Sequence, residues 1–327
     1  MDGKIDMVSN DCSGRASPTL AARAFPTFNI RSHMTMTSAV IADQMSPATQ
    51  TAAGDFERRA AGRKPSGQDV ASPAAQAFYA RVMRTLRAAD VGFLVGGTYA
   101  FTPYTGIARS SKDFDIFVRS DDIARAVTVL SRAGLRTDMT FPHWLGKVFY
   151  RRYFVDLIFN SGNGMTPVDE HWFIHAPSAI VLGIPVQLVP AEEMLWSKAF
   201  VMERERYDGA DVIHILRSRA ERLDWDRLLD RFADRWRVLL FNLILFGFVY
   251  PAERARIPAR VMRILAERLQ GELDSDTPTG RICQGTLVSR EQYLPDTVGW
   301  GYADARQFPI GNMTPEQVAA WTEAISR

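Results

Sequence analysis

Asp113 and Asp115 stand two residues apart in the segment Lys112-Asp113-Phe114-Asp115-Ile116-Phe117-Val118. Charge and bulk alternate there, which predicts a β-strand over 113–118. A period of two puts both carboxylates on one face of that strand. Two carboxylates facing one way repel each other unless a cation lies between them. Magnesium takes oxygen ligands from one or two carboxylates and from substrate phosphates. A strand-borne Asp-x-Asp therefore suits a metal–triphosphate site.

Upstream, the apolar run Phe93-Leu94-Val95 ends at Gly96-Gly97-Thr98. This reads as a buried strand running into a tight turn. Glycines let the backbone approach a phosphate closely, and the N–H groups of such a turn form an anion-binding concavity. Thr98 adds a hydroxyl donor. Arg109, Ser111 and Lys112, on the approach to the Asp pair, are candidate nucleotide contacts; a solvated loop is the competing reading for this segment. Downstream, Asp156 interrupts the apolar run Phe154-Val155-Asp156-Leu157-Ile158-Phe159. An ionised Asp there is costly unless it is paired or binds metal. Asp156 is thus the candidate third carboxylate, as general base toward an acceptor hydroxyl or as ligand of a second metal. The same argument allows a structural ion pair with an Arg or Lys.

Gly96-Gly97, Asp113-Phe114-Asp115 and Asp156 together resemble the DNA polymerase β-type nucleotidyltransferase superfamily. Its pattern is a strand ending in Gly-Gly or Gly-Ser, an apolar-flanked Asp-x-Asp, and a third Asp on a later strand. The stretch Gly97-Thr98 … Arg109-Ser110-Ser111-Lys112-Asp113-Phe114-Asp115 is most similar to the branch that includes the AbiEii-type toxins and the aminoglycoside nucleotidyltransferases. The resemblance spans roughly residues 75–220, and the spacing from Gly97 to Asp113 lies at the long end of the pattern. It implies a mixed-sheet palm and one or two magnesium ions on Asp113, Asp115 and Asp156. It also implies transfer of a nucleoside monophosphate from an NTP, with ATP the default, and release of pyrophosphate. A basic residue on the helix after the palm is implied for the triphosphate, and Lys198 matches that place. Asp208 and Asp211, with Arg204 and Arg206, resemble the charged stretch that follows in the toxin branch. The acceptor is open among a small molecule, a tRNA end and a protein, and a toxin role would imply an antitoxin partner. The rival reading is a non-catalytic nucleotide-binding or toxin–antitoxin interaction module on the same fold. Three clustered carboxylates weigh against it.

The elements that must position these residues follow from periodicity. A helix begins at Pro73 and stops by Gly92, with Ala77, Phe78, Val82, Met83 and Leu86 on one face. Another is expected over 121–133. Strands are expected over 135–140, 147–150, 153–159 and 185–189. From Pro190 the pattern turns helical: 191–217 as one helix or two abutting ones, then 224–236, 238–249 and 258–269. The expected class is α/β (α+β): a mixed-sheet palm over 73–190, a helical region over 191–272, and an irregular tail over 273–327. The tail should end in a short helix capped at Thr314. Residues 1–72, rich in Ala, Ser, Thr and Pro, are expected to be disordered, with Met34 or Met45 as alternative starts.

Composition narrows the remaining classes. Apolar residues are 46% of the 327, enough for a sizeable core. A net charge of +2 gives no global electrostatic case for wrapping a nucleic acid. Cys12 and Cys283 support neither a disulfide framework nor a cysteine zinc site. The apolar run from Val238 to Tyr250 is well short of the roughly 20 residues of a membrane span. Residues 1–20 lack the apolar core of a signal peptide. A cytoplasmic location is the expectation.

Overall fold

The computed structural model describes residues 72–109, 111, 113–275 and 280–324. The expectations for residues 1–71, and for Lys112, lie outside those residues.

Helix α1 (Pro73–Ala88) opens the described chain, with the Ser72 hydroxyl accepting from the N–H of Ala75 at 3.3 Å. Its apolar stripe, including Phe78, Val82, Met83 and Leu86, is buried. Strand β1 (Leu94–Val95) follows, then helix α2 (Gly97–Thr105), β2 (Asp115–Phe117) and α3 (Ile123–Arg132). Next come β3 (Arg136–Phe141), β4 (Leu145–Tyr150), β5 (Tyr153–Ile158), the short α4 (Glu170–Ile174), β6 (Ser178–Val181) and β7 (Ile184–Leu188). These seven strands form one mixed sheet in the order β3-β4-β5-β2-β1-β7-β6. Flanking helices complete the expected α/β class.

The sheet centre explains its sequence. Leu94, Val95, Ile116, Val155 and Leu157 are all fully buried. β1 runs antiparallel to β2 and parallel to β7; β2 runs parallel to β5. Such central strands tolerate few polar side chains, so the polar ones that remain mark a site.

Helices follow β7: α5 (Ala191–Ala199), α6 (Gly209–Arg219), α7 (Trp225–Phe232), α8 (Trp236–Val249) and α9 (Ala259–Leu273). The helical stretch after Pro190 is therefore two helices with a loop between them, and that loop carries Arg206 and Asp208. Glu193, fully buried, accepts from Arg227 at 2.7 and 2.8 Å and from Arg231 at 3.3 Å, which ties α5 to α7.

The C-terminal segment has more order than its composition suggests. It forms a two-stranded parallel sheet of β8 (Ile282–Cys283) and β9 (Ala303–Asp304), helix α10 (Leu294–Val298) and helix α11 (Pro315–Glu323). Helix α11 starts with a capping box between Thr314 and Gln317, as Thr314-Pro315 foretells.

Candidate active site

The turn after β1 is the first start of the site. Gly96 donates to the Asp115 carbonyl at 3.0 Å, and the chain then enters α2 directly. The expected Gly-Gly turn is thus also a helix N-terminus, with no side-chain cap. Gly97 has φ of +52°, and a Cβ there would collide with Oδ2 of Asp115. Only glycine permits this approach of a helix N-terminus to a carboxylate. Gly97 and Thr98 line a cavity, and the N–H groups of this first turn with the positive end of the helix dipole can hold an anion there.

The second start is the β2–β5 ladder. Asp115 and Asp156 are register partners on parallel strands, so their side chains stand side by side on one face. The ladder continues through the bond from the Asp156 N–H to the Phe114 carbonyl at 2.9 Å, which fixes the stretch just before β2. Asp113 lies there, outside the strand itself, yet an oxygen from each of Asp113, Asp115 and Asp156 falls within 4.8 Å of the others. The strand is shorter than the 113–118 expected; the same-face result holds because the β5 edge keeps residue 114 in line.

Electrostatics fit a cation between them. Burial, then Asp113, then Asp156 push the Asp115 carboxyl up to about 7, against the opposing pull of Lys198 and Arg206. Burial also raises Asp156, although Lys147 works the other way. A divalent ion would relieve the repulsion that raises Asp115.

The sequence-expected residues divide. Gly97, Thr98, Arg109, Ser111, Asp113, Asp115, Asp156 and Lys198 all line one cavity of about 580 Å3. Gly96 stands behind it, against the Phe117 ring. Three of the expected nucleotide contacts are already engaged with protein carboxylates. Ser111 donates to Asp113 at 2.5 Å. Arg109 pairs with Asp211 at 2.5 Å. Lys198 is held between Asp208 at 2.8 Å and Asp211 at 2.9 Å. Asp208 and Asp211 thus serve as partners of cations.

Beyond the expected contacts, three further groups surround the site. Lys147 on β4 pairs with Asp156 at 2.6 Å and sits over the Phe154 ring at 4.4 Å. Its position was countable: a two-residue turn at Arg151-Arg152 pairs Tyr150 with Tyr153, and stepping back three pairs reaches Lys147 and Asp156. Arg206, placed by the sequence in a charged stretch with Asp208 and Asp211 but given no contact there, bonds Asp208 at 3.1 and 3.2 Å and lines the cavity with the acidic cluster. The third group is the returning C-terminal segment. Asn163 donates to the Leu287 carbonyl, the N–H of Met202 to Val288 at 3.0 Å, and the Ser289 hydroxyl to Glu203 at 2.8 Å. Residues 286–290 therefore bridge from the palm to the loop after α5. The Trp321 ring lies against Gly162, Phe141, Trp144 and the Arg290 guanidinium, which is 4.0 Å from its centroid.

No protein-family model and no curated protein matches the chain. Several solved structures are similar to it. The antibiotic-resistance factor ANT(2")-Ia, in complex with adenylyl-2"-tobramycin, is 14% identical, covers 50% of this chain and 98% of its own, and has a TM-score of 0.36. The lincosamide antibiotic adenylyltransferase LnuA, lincomycin-bound, is 14% identical over 43% of this chain and 94% of its own, with a TM-score of 0.31. An antigenic nucleotidyltransferase-like protein from Paracoccidioides brasiliensis is 12% identical over 57% and 93%, with a TM-score of 0.37. At such identities and scores the likeness is one of outline. The chain resembles structures named as nucleotidyltransferases, and its chemistry has to be read from Asp113, Asp115, Asp156 and the Gly97 turn.

Proposed function

We propose that the protein is a magnesium-dependent nucleotidyltransferase that moves a nucleoside monophosphate from an NTP to an acceptor hydroxyl. The observation that carries this reading is the convergence of Asp113, Asp115 and Asp156 within 4.8 Å, beside a glycine-started helix. The donor set is all carboxylate oxygen, which fits a hard divalent cation and an incoming phosphate.

Asp113 and Asp115 would hold the metal, with Asp156 beside them as the proton acceptor. Once bound, it supplies charge neutralisation for the phosphates and for the oxygens at the reacting phosphorus. The N–H groups at the start of α2 and the Thr98 hydroxyl hold the triphosphate. Arg206 and Lys198 add positive charge across the cavity. The acceptor oxygen attacks the α-phosphorus; the bond to the bridging oxygen of the β-phosphate breaks, and pyrophosphate leaves. The hydroxyl proton passes to the Asp156 oxygen not engaged by Lys147. Lys147 fixes the orientation of that carboxylate. Positioning and preorganised charge then supply most of the rate.

The test is magnesium-dependent incorporation of label from α-labelled NTPs into acceptors of a cell extract, with Asp113→Ala as control. Label transferred by wild type alone supports the reading. Triphosphate binding without any transfer would favour the nucleotide-binding module instead, a reading consistent with Lys198 being held by Asp208 and Asp211.

A further inference from the structure

Helix α8 is apolar on every face beyond its first turn, apart from the buried Asn242. From Val238 to Tyr250 no residue carries a charge. A helix of that kind is normally buried inside a larger body or spans a membrane. At 14 residues α8 is too short to span, and no described helix is long and apolar enough to cross a membrane. Its inner face, with Leu239, Leu240, Leu243 and Phe246, is buried. Its outer face is not: Phe241 is 46% exposed, Ile244 59%, Phe248 81% and Val249 44%. These positions recur at helical spacing and make one stripe.

Helix α9 extends it. Arg237, one turn before Phe241, pairs with Glu272, which lies between Leu269 and Leu273. The start of α8 thus meets the end of α9, so the two helices form an antiparallel hairpin. Leu269 and Leu273, exposed at 41% and 73%, flank Glu272 and so lie at the end of α9 that meets the start of α8. Exposed charges of both signs accompany these apolar residues, in Arg237 and Glu272, which pair, and in Glu267 and Arg268 on α9.

We propose that this two-helix face is the contact surface between two copies of the chain. Two such hairpins, packed face to face about a two-fold axis, make a four-helix bundle with an apolar seam and a charged rim. Six large apolar side chains at these exposures amount to on the order of 600 Å2 per copy, close to the ~800 Å2 per partner of a standard stable interface. A monomer rarely leaves a continuous patch of that size open. Self-association needs no complementary partner, because the stripe matches itself when reversed.

Sedimentation equilibrium of the full chain at micromolar concentration tests this. The expected mass is twice the chain mass of 36.7 kDa. Ile244→Glu and Leu273→Glu, each at an exposed position, should weaken association about a hundredfold or more with the far-ultraviolet circular dichroism unchanged. Ile180→Glu, 76% exposed on the edge strand β6, should leave the dimer intact. A wild-type chain that stays at single mass overturns the proposal, as does a dimer that both α8–α9 variants leave unchanged. A single-mass chain that binds phospholipid vesicles or another protein through Ile244 would assign the face to that partner instead.

Discussion

Asp156 stands between Asp115 and Lys147 in one row across three adjacent strands, register partner of each. The row alternates in charge, and the Lys147 ammonium lies 2.6 Å from Oδ1 of Asp156. Burial raises the Asp156 carboxyl while Lys147 lowers it. In Lys147→Met the lowering is lost, so Asp156 rises further and is protonated to higher pH. A proton acceptor must be ionised, so the acidic limb of the pH–rate profile should move to higher pH. Transfer at neutral pH should fall and partly recover in alkali. Unchanged profiles in Lys147→Met would mean that Asp156 takes no proton.

Asp115 gives a second prediction. Its folded-state value is raised to about 7, above the ordinary carboxylate range. The metal-free fold is therefore unaffected by Asp115 below about pH 4 and increasingly penalised as pH rises through 7. Asp115→Asn removes the penalty. In EDTA its melting temperature should exceed that of wild type at pH 8, with a much smaller gain at pH 5. Magnesium should raise the wild-type melting temperature and not that of the variant, and transfer in the variant should fall by about a thousandfold or more. A lower melting temperature at pH 8 would show that Asp115 is stabilised by its neighbours.

Gly97 and Gly106 separate collision from backbone strain. Both have positive φ, +52° and +73°. A Cβ at Gly97 would collide with Asp115, whereas at Gly106 it meets nothing within 4 Å. Gly106→Ala should cost about 1 kcal/mol of stability and leave transfer intact. Gly97→Ala should cost more, because Asp115 must move, and should abolish magnesium-stimulated transfer. Chemical denaturation and the transfer assay on the two variants check this.

Trp321 is the testable part of the wall made by the C-terminal segment. Its ring packs on Gly162 and stacks edge-on with Trp144 at 5.1 Å. Its neighbours Phe141, Trp144, Gly162 and Arg290 belong to the β3–β5 side of the sheet and to the C-terminal segment rather than to α2, so Trp321→Ala should raise KM for the acceptor and spare NTP affinity. Loss of NTP binding in Trp321→Ala would place the ring on the nucleotide side.

Glu193 tests the support behind the site. Removing this fully buried carboxylate takes one partner from Arg227, which keeps Glu192 at 2.8 Å, and one from Arg231, which keeps Asp169 at 2.6 Å. Glu193→Ala should therefore destabilise the fold by about 1–3 kcal/mol, read by urea unfolding. No measurable loss would show that Glu192 and Asp169 alone compensate the two arginines.

Much of the site was legible because it rests on short-range rules. Period two set Asp113 and Asp115 on one face, a polar residue in an apolar run marked Asp156, and adjacent glycines marked the turn. Thr314-Pro315 likewise announced helix α11. Lys147 was legible in principle, since hairpin register follows by counting from a two-residue turn. The helix at Gly97–Thr105 was not: Gly96-Gly97 reads as a turn, and Pro103 lies inside the helix. Its formation depends on burial of Ala100, Phe101 and Tyr104 against the body.

The sequence by itself determined which carboxylates could share a cation, because strand alternation and burial cost act over a few residues. Tertiary structure alone decided which cation meets which carboxylate. Lys198 joins Asp208 and Asp211, Arg109 joins Asp211, and residues 286–290 return across about 120 positions to Asn163. Those pairings follow from chain closure and packing of distant segments, for which no local period exists.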